Sequence, residues 1–176
     1  MTKFSPAGKQ VDWAGSNASG PAAGVAVDSS GNVYVSDGVR NQIHKFSAGG
    51  QLLTDWGAGA SGAAMGKLMG PAGLAADRTG NVYVAETGNS QVQKLSGKGQ
   101  SLAVWGGAPG QTQFASPRGV AVDGQGNLYV ADWGHDRVVK LGSDGKQLAD
   151  WNGEPTSVGG FNPVSYTHLT LPTILR

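Results

Sequence analysis

Residues 119–132 read GVAVDGQGNLYVAD, and the same phrase stands twice earlier, as GVAVDSSGNVYVSD at 24–37 and GLAADRTGNVYVAE at 73–86. The copies begin 49 and then 46 residues apart. Each continues alike, into NQIHKFSAGGQLLTDWG from Asn41, SQVQKLSGKGQSLAVWG from Ser90 and DRVVKLGSDGKQLADWN from Asp136. A fixed period of this length marks an architecture built from one recurring supersecondary unit. The opening MTKFSPAGKQVDWAG, Met1 to Gly15, matches only the second half of a unit. Gly160-Phe161-Asn162-Pro163 matches a lead-in such as Gln113-Phe114-Ala115-Ser116-Pro117.

Each unit divides into four short β-runs: Val25–Val27, Val33–Val35, Ile43–Phe46 and Leu52–Trp56 in the first copy. Between the first two lies Asp28-Ser29-Ser30-Gly31, repeated as Asp77 to Gly80 and Asp123 to Gly126. Asp at the first and Gly at the fourth position suit a type I turn. Four-stranded hairpin sheets recurring at this spacing predict β-propeller blades. The second runs, Val33-Tyr34-Val35, Val82-Tyr83-Val84 and Leu128-Tyr129-Val130, are apolar at consecutive positions. A sheet with one wet face would alternate, so both faces must be covered, as between stacked blades. The first-run alanines Ala26, Ala75, Ala76 and Ala121 fit where the sheets crowd closest. A β-solenoid also covers both faces, but with a shorter unit.

Composition agrees with many tight turns: 30 of 176 residues are glycine, more than twice the usual ~7%. The formal net charge of +1 argues against a general nucleic-acid or acidic-lipid binder. Cysteine is absent, which excludes disulfides and thiolate metal sites here. No apolar run is long enough to span a membrane, and the N-terminus shows no signal-peptide core. There is no P-loop, dinucleotide fingerprint or Gly-x-Ser-x-Gly elbow. Two histidines outside the C-terminal tail, His44 and His135, sit in different units, so neither a metal site nor a cofactor is expected from these residues.

The stretches GNVYVSD, GNVYVAETGNSQVQKL and GNLYVADWGHDRVVKL resemble NHL repeats, the blades of NHL-type β-propellers. The resemblance runs from about Met1 to Pro163. It implies an all-β, partial propeller of about three and a half four-stranded antiparallel blades, where family propellers usually have about six. The expected division is a half blade at 1–20 and blades at 21–69, 70–116 and 117–162.

Residues 164–173, VSYTHLTLPT, share nothing with the repeat and begin where the next blade should read Gly-Val-Ala-Val-Asp. They resemble the translated adapter of transposase-based DNA library preparation, so 164–176 is read as a non-native tail. A genuine closing strand is the other reading. Met1 falls at a strand position, aligned with Ile43, so the chain is read as a gene fragment. Setting Arg176 aside from the 13 basic residues balances them against the 12 acidic ones. An arc of blades leaves an unpartnered sheet face at each end, roughly 300 Å² from strand spacing and rise, enough to be sticky. Self-association is therefore expected.

The repeat is its own control: residues in every unit are architectural, and those that break the pattern are candidates for function. Asp28, Asp77 and Asp123 open turns, whereas Asp37, Glu86 and Asp132 close the second run. Asp12, Asp55 and Asp150 precede tryptophans. The periodic Trp13, Trp56, Trp105 and Trp151 read as blade-edge packing, and Lys3, Lys45, Lys94 and Lys140 as outer-strand solvation. His44 reads as an ordinary strand residue. The exception is Trp133-Gly134-His135-Asp136-Arg137, which stands where the other units have Gly38-Val39-Arg40-Asn41-Gln42 and Thr87-Gly88-Asn89-Ser90-Gln91. A tryptophan, a histidine and an arginine there can stack on and hydrogen-bond a ligand. A structural role is also open, with Asp136 and Arg137 capping the loop and Trp133 covering a neighbouring blade.

The expected ligand-binding loop face therefore comprises Trp133, His135, Asp136, Arg137, Arg118, Arg40 and Asn89, with no catalytic residue and no metal ligand assigned. The first functional expectation is a binding scaffold for a protein, peptide or glycan. The alternative is a propeller enzyme. The resemblance extends to lyases of cyclic peptide antibiotics or hydroxyglycine peptides and to sugar-lactone hydrolases, often metal-dependent. The centre of such an enzyme would lie mostly outside these residues, with His135, Arg118 and Arg137 contributing. RNA binding ranks last, since Arg40, Lys67, Arg118 and Arg137 are sparse. Composition and the adapter-like tail suggest a bacterial source, with the propeller as an extracytoplasmic or sensor part of a larger protein.

Overall fold

The Asp-x-x-Gly turns organise each blade. In the first, Asp28 Oδ1 accepts from the backbone N–H of Ser30 and Asn32, and its Oδ2 from Asn32 Nδ2 and the Tyr34 hydroxyl. The Gly31 N–H closes the turn on the Asp28 carbonyl at 3.0 Å. Gly31 has φ 79°, where a side chain would be strained. Asp77 and Asp123 repeat the arrangement, down to the hydroxyls of Tyr83 and Tyr129. One carboxylate thus fixes both the turn and the tyrosine of the following strand.

The computed structural model describes residues 2–11, 22–57, 62, 66–107 and 110–152. It begins with a two-stranded pair, β1 (Lys3–Phe4) and β2 (Gln10–Val11). Three four-stranded antiparallel meanders follow: β3 (Ala22–Val27), β4 (Val33–Asp37), β5 (Gln42–Phe46) and β6 (Leu52–Trp56); β7 (Pro71–Ala76), β8 (Val82–Glu86), β9 (Gln91–Leu95) and β10 (Ser101–Trp105); and β11 (Pro117–Val122), β12 (Leu128–Asp132), β13 (Arg137–Leu141) and β14 (Gln147–Asn152). The first two strands of each blade run longer than the apolar runs suggest, and Arg137 belongs to β13 rather than to the loop before it. Residues 12–20, Gly160 to Pro163 and the stretch 164–176 lie outside the described residues.

The blades stack as the consecutive apolar positions require. Tyr34, Ile43 and Trp56 of the first blade pack with Leu68, Leu74, Val82, Val84 and Leu95, and Tyr83, Val92 and Trp105 of the second with Phe114, Leu128, Val130, Val139 and Leu141. Glycine, more than the alanines, marks the closest approach. A Cβ at Gly24 would overlap the Ala72 carbonyl, and one at Gly73 would overlap that of Arg118.

A second inter-blade device lies on the outer strands. The Trp56 indole lies against Gly99 of the next blade and the Trp105 indole against Gly145, both positive-φ turn glycines with no room for a Cβ. Lys45 Nζ passes 5.3 Å from the Tyr34 ring and donates to the Gly97 carbonyl of the next blade at 2.8 Å. Lys3 likewise reaches the Ala48 carbonyl. Lys3 and Lys45 thus tie blade to blade, which corrects their reading as merely solvated outer-strand charges, whereas Lys94 and Lys140 lie over the tyrosine of their own blade. No helix among the described residues is long and apolar enough to cross a membrane.

Candidate functional site

The second strand of each blade ends in a buried carboxylate, and the loop beyond is built around it. Asp37 accepts from the N–H of Val39 and Arg40 and from the Arg40 guanidinium at 2.9 Å. Glu86 accepts from Met69 N, Asn89 Nδ2, Gln91 Nε2 and Gln93 Nε2. Asp132 accepts from Ala115 N at 2.6 Å, His135 Nδ1 at 2.9 Å and Arg137 Nε at 2.8 Å. The common element is a donor side chain three residues after the carboxylate: Arg40, Asn89 or His135. The residue after that donor takes a left-handed conformation in every blade, with φ 57° at Asn41, 52° at Ser90 and 51° at Asp136. Asn41 Oδ1 accepts from Gly70 N and Ser90 Oγ from Ser116 N, so these residues also hold the chain leading into the next blade.

The electrostatics differ between blades. Burial pushes the Asp37 carboxyl up, but the bonds from Arg40 and Val39 outweigh it and hold the group below the ordinary carboxylate range. Burial raises Glu86 above its ordinary value despite its donors, three of which are neutral side-chain amides. Partial burial works against the charge of Arg137, yet its bonds to Asp132 and Asp150 raise its pKa overall.

The expected site residues thus fall into separate places. Arg40 and Asn89 each serve the carboxylate of their own blade. In the third blade, Trp133 and His135 lie on a single 3₁₀ turn, Trp133–His135, whose Gly134 N–H donates to the Ala115 carbonyl at 2.7 Å. The Arg118 guanidinium stacks 3.9 Å from the centre of the Trp133 ring. Trp133 stays 53% exposed, with Arg118 against its ring. Asp136 supplies the left-handed backbone, and its N–H donates to the Trp133 carbonyl.

Beside this turn lies a cleft of about 380 Å³, lined by Thr112, Gln113, His135, Arg137, Gln147, Asp150 and Asn152. Arg137 is held at its wall, with NH1 on Asp150 at 2.7 Å and NH2 on the Gln113 carbonyl. Thr112 Oγ1 donates to Gln147 Oε1 at 2.9 Å, and both residues also border a larger hollow of about 750 Å³ toward the Asp144–Lys146 turn. The second blade closes the matching corner. There Gln93 stands where the third blade has Val139, and its amide binds Gly66 N, Lys67 O and Ser101 Oγ. In the third blade, where Val139 makes none of these bonds, the Arg137 guanidinium takes the Gln113 carbonyl instead.

Five of the lining residues, Thr112, Gln113, Gln147, Asp150 and Asn152, are absent from the sequence-based set. Thr112 and Gln113 come from a variable connection, and Asp150 is periodic, which disguised it as architecture. Another unforeseen cluster sits in the first blade. His44 is buried, with Nδ1 2.7 Å from Asp55 Oδ1 and Nε2 4.0 Å from Asp37 Oδ2, and Nε2 has no hydrogen-bond partner among the described residues. No group of three His, Cys, Asp or Glu with metal-binding geometry occurs among the described residues.

The NHL-repeat family model matches residues 22–46, 68–95 and 114–141. No curated protein sequence matches. Among solved structures, streptogramin B lyase aligns with TM-score 0.65 at 15% identity, over 85% of this chain and 46% of that one. A catalytically inactive virginiamycin B lyase from Staphylococcus aureus, solved with quinupristin, aligns with TM-score 0.65 at 16% identity, over 90% of this chain and 50% of that one. A nidogen/laminin complex aligns with TM-score 0.59 at 25% identity, over 73% of this chain and 48% of that one. The chain therefore spans about half the length of the structures it matches. Three matches of the NHL-repeat model fall on three stacked four-stranded blades, so the chain carries NHL repeats folded as β-propeller blades.

Proposed function

We propose that this protein is a recognition module whose loop face, at the third blade, binds an extended polar ligand of low net charge, such as a glycan or a peptide stretch. The observation that carries this reading is the engagement of the buried carboxylates and of two arginines at that face. Asp37, Glu86 and Asp132 are buried and occupied in holding loops, so none presents a lone pair to a substrate. Arg40 and Arg137 are paired with carboxylates. What is left open is the Trp133 platform on Arg118 and a cleft of amides, a hydroxyl, an imidazole and a neutralised ion pair. Such groups orient a ligand and supply specificity. With Arg40 and Arg137 paired, Arg118 and Lys67 are the exposed basic residues left there, a sparse set for RNA. A structural neighbour comes from a nidogen/laminin complex, which is compatible with a binding role.

The second reading is a lyase, favoured by the likeness to streptogramin B and virginiamycin B lyases. At this identity that likeness speaks for fold and not for chemistry. One comparison separates the two: labelled protein on glycan and peptide arrays, and the same protein incubated with quinupristin in the presence of divalent cations. Binding that fails in the Arg118→Ala/Trp133→Ala variant supports recognition. Conversion of quinupristin, abolished in His135→Ala, would overturn it.

A further inference from the structure

We infer that the corner between the first and second blades carries a second docking site on the loop face, for an extended protein segment that sets an acidic side chain beside an apolar one. Four residues break the repeat there together. The corner between the second and third blades has Gly88, Asn89, Gln113 and Ala115, and at the same repeat positions the first corner has Val39, Arg40, Lys67 and Met69. Two apolar and two basic side chains thus replace small or neutral ones.

The fold holds these four at one place. The N–H groups of Val39 and Arg40 donate to Asp37 Oδ1, and Arg40 Nη1 donates to Asp37 Oδ2. Asn41 Oδ1 then accepts from Gly70 N at 2.7 Å, which joins the turn after β4 to the residues leading into β7. A Cβ at Gly38 would stand 3.2 Å from the Pro71 carbonyl, so the turn and this lead-in run side by side. On the lead-in, Gln93 Nε2 donates to the Lys67 carbonyl at 2.6 Å and Met69 N donates to Glu86 Oε2 at 3.0 Å. Leu68 between them is buried, which leaves Lys67 exposed and Met69 44% exposed. Val39 is 73% exposed. That exposure does not come from a blade end. Gly88 holds the position of Val39 in the second blade, which has a described blade on either side, and it too is exposed.

Single exposed apolar residues are ordinary, but two held on one corner between cations make a patch suited to recognition. The carboxylates of the corner, Asp37 and Glu86, are buried beneath it, whereas Lys67 is exposed and Arg40 keeps 48% of its side chain in solvent despite its bond to Asp37. The charge presented is positive, and its complement is a carboxylate. Two cations fall short of the about four to eight that hold an anionic membrane. None of the four residues is an aromatic on which a base would stack. A protein segment with a carboxylate and an apolar side chain on one edge meets both halves of the patch.

The test pans a phage library of random peptides on the immobilised full chain. Selected peptides are expected to carry Asp or Glu within about two residues of Leu, Ile, Met or Phe, the spacing that puts both on one side of an extended strand. A synthetic copy should lose at least about tenfold in affinity for Val39→Gly/Lys67→Gln/Met69→Ala, which installs the residues of the next corner and should keep the wild-type melting temperature. Arg118→Ala/Trp133→Ala, which alters the third blade, should bind it as wild type does. A charge swap checks the pairing without the triple variant: Lys67→Glu should weaken the peptide, and changing the peptide's acid to lysine should restore binding to that variant. Absence of an acidic–apolar pattern, equal affinity for wild type and triple variant, loss of binding in the third-blade variant, failure of the swap, or sedimentation with phosphatidylserine vesicles in place of peptide binding would each overturn the inference.

Discussion

Asp132→Asn isolates the device on which the loop face rests. Asparagine keeps the shape, and its Oδ1 still accepts from Ala115 N, but its Nδ2 now faces the Arg137 Nε–H across 2.8 Å. A hydrogen bond to a charged group contributes about 1.5–3 kcal/mol. Arg137 keeps Asp150 and the Gln113 carbonyl, and the imidazole of His135 can exchange tautomers to accept from Asn, so the expected loss is about 2 kcal/mol. With a urea m-value near ~2 kcal/mol/M, the midpoint should fall by about 1 M. Arg137→Met should cost more, about 3–5 kcal/mol, because it strands a fully buried carboxylate. The double variant should be less damaged than the sum by about 1 kcal/mol or more, as expected for groups in one network. An Asp132→Asn midpoint within error of wild type, or strictly additive effects, would refute the claim that this carboxylate holds the turn.

Two further perturbations test the blades themselves. The side-chain bond from Asn127, with bonds from the Asn127 and Gln125 N–H groups and the Tyr129 hydroxyl, holds Asp123 down to about 2. A depressed folded pKa stabilises above the unfolded value of about 4 and is lost as pH falls through the folded one, so the melting temperature should drop between about pH 4 and 2, and Asn127→Ala should move that drop to higher pH. Glu86 has the opposite sign: burial raises its folded pKa, so its ionisation opposes folding above that value, and the penalty lifts as the group is protonated. Gly145→Ala should lower the melting temperature far more than Gly80→Ala at equal φ, since only at Gly145 does the new methyl overlap an indole, that of Trp105. Equal losses would show that the tryptophan joint carries no packing constraint.

The architecture is legible in the sequence because its determinants are local. An Asp at the head of a four-residue turn, a Gly at its foot and a tyrosine six residues after the Asp repeat in register, and the structure joins them through one carboxylate. The loop lock is also written locally, as a carboxylate followed three residues later by Arg40, Asn89 or His135. Because the donor changes identity, comparison of letters hides a shared role, and the three residues look like departures from the pattern. The remainder depends on stacking. Nothing in the order of residues brings Arg118 onto Trp133 or points Lys45 at Gly97, since both contacts arise from strand pairing and blade twist. The cleft depends on stacking too, since its walls come from the 112–113 connection, the third-blade turn and β14.

The most direct test of the recognition reading is the array comparison between wild type and Arg118→Ala/Trp133→Ala, with Gly80→Ala as the control for stability. The account predicts a defined set of glycan or peptide spots bound by wild type and control, with signal falling at least about tenfold in the double variant. An unchanged pattern in that variant would contradict it, because binding would then owe nothing to the platform at the third blade.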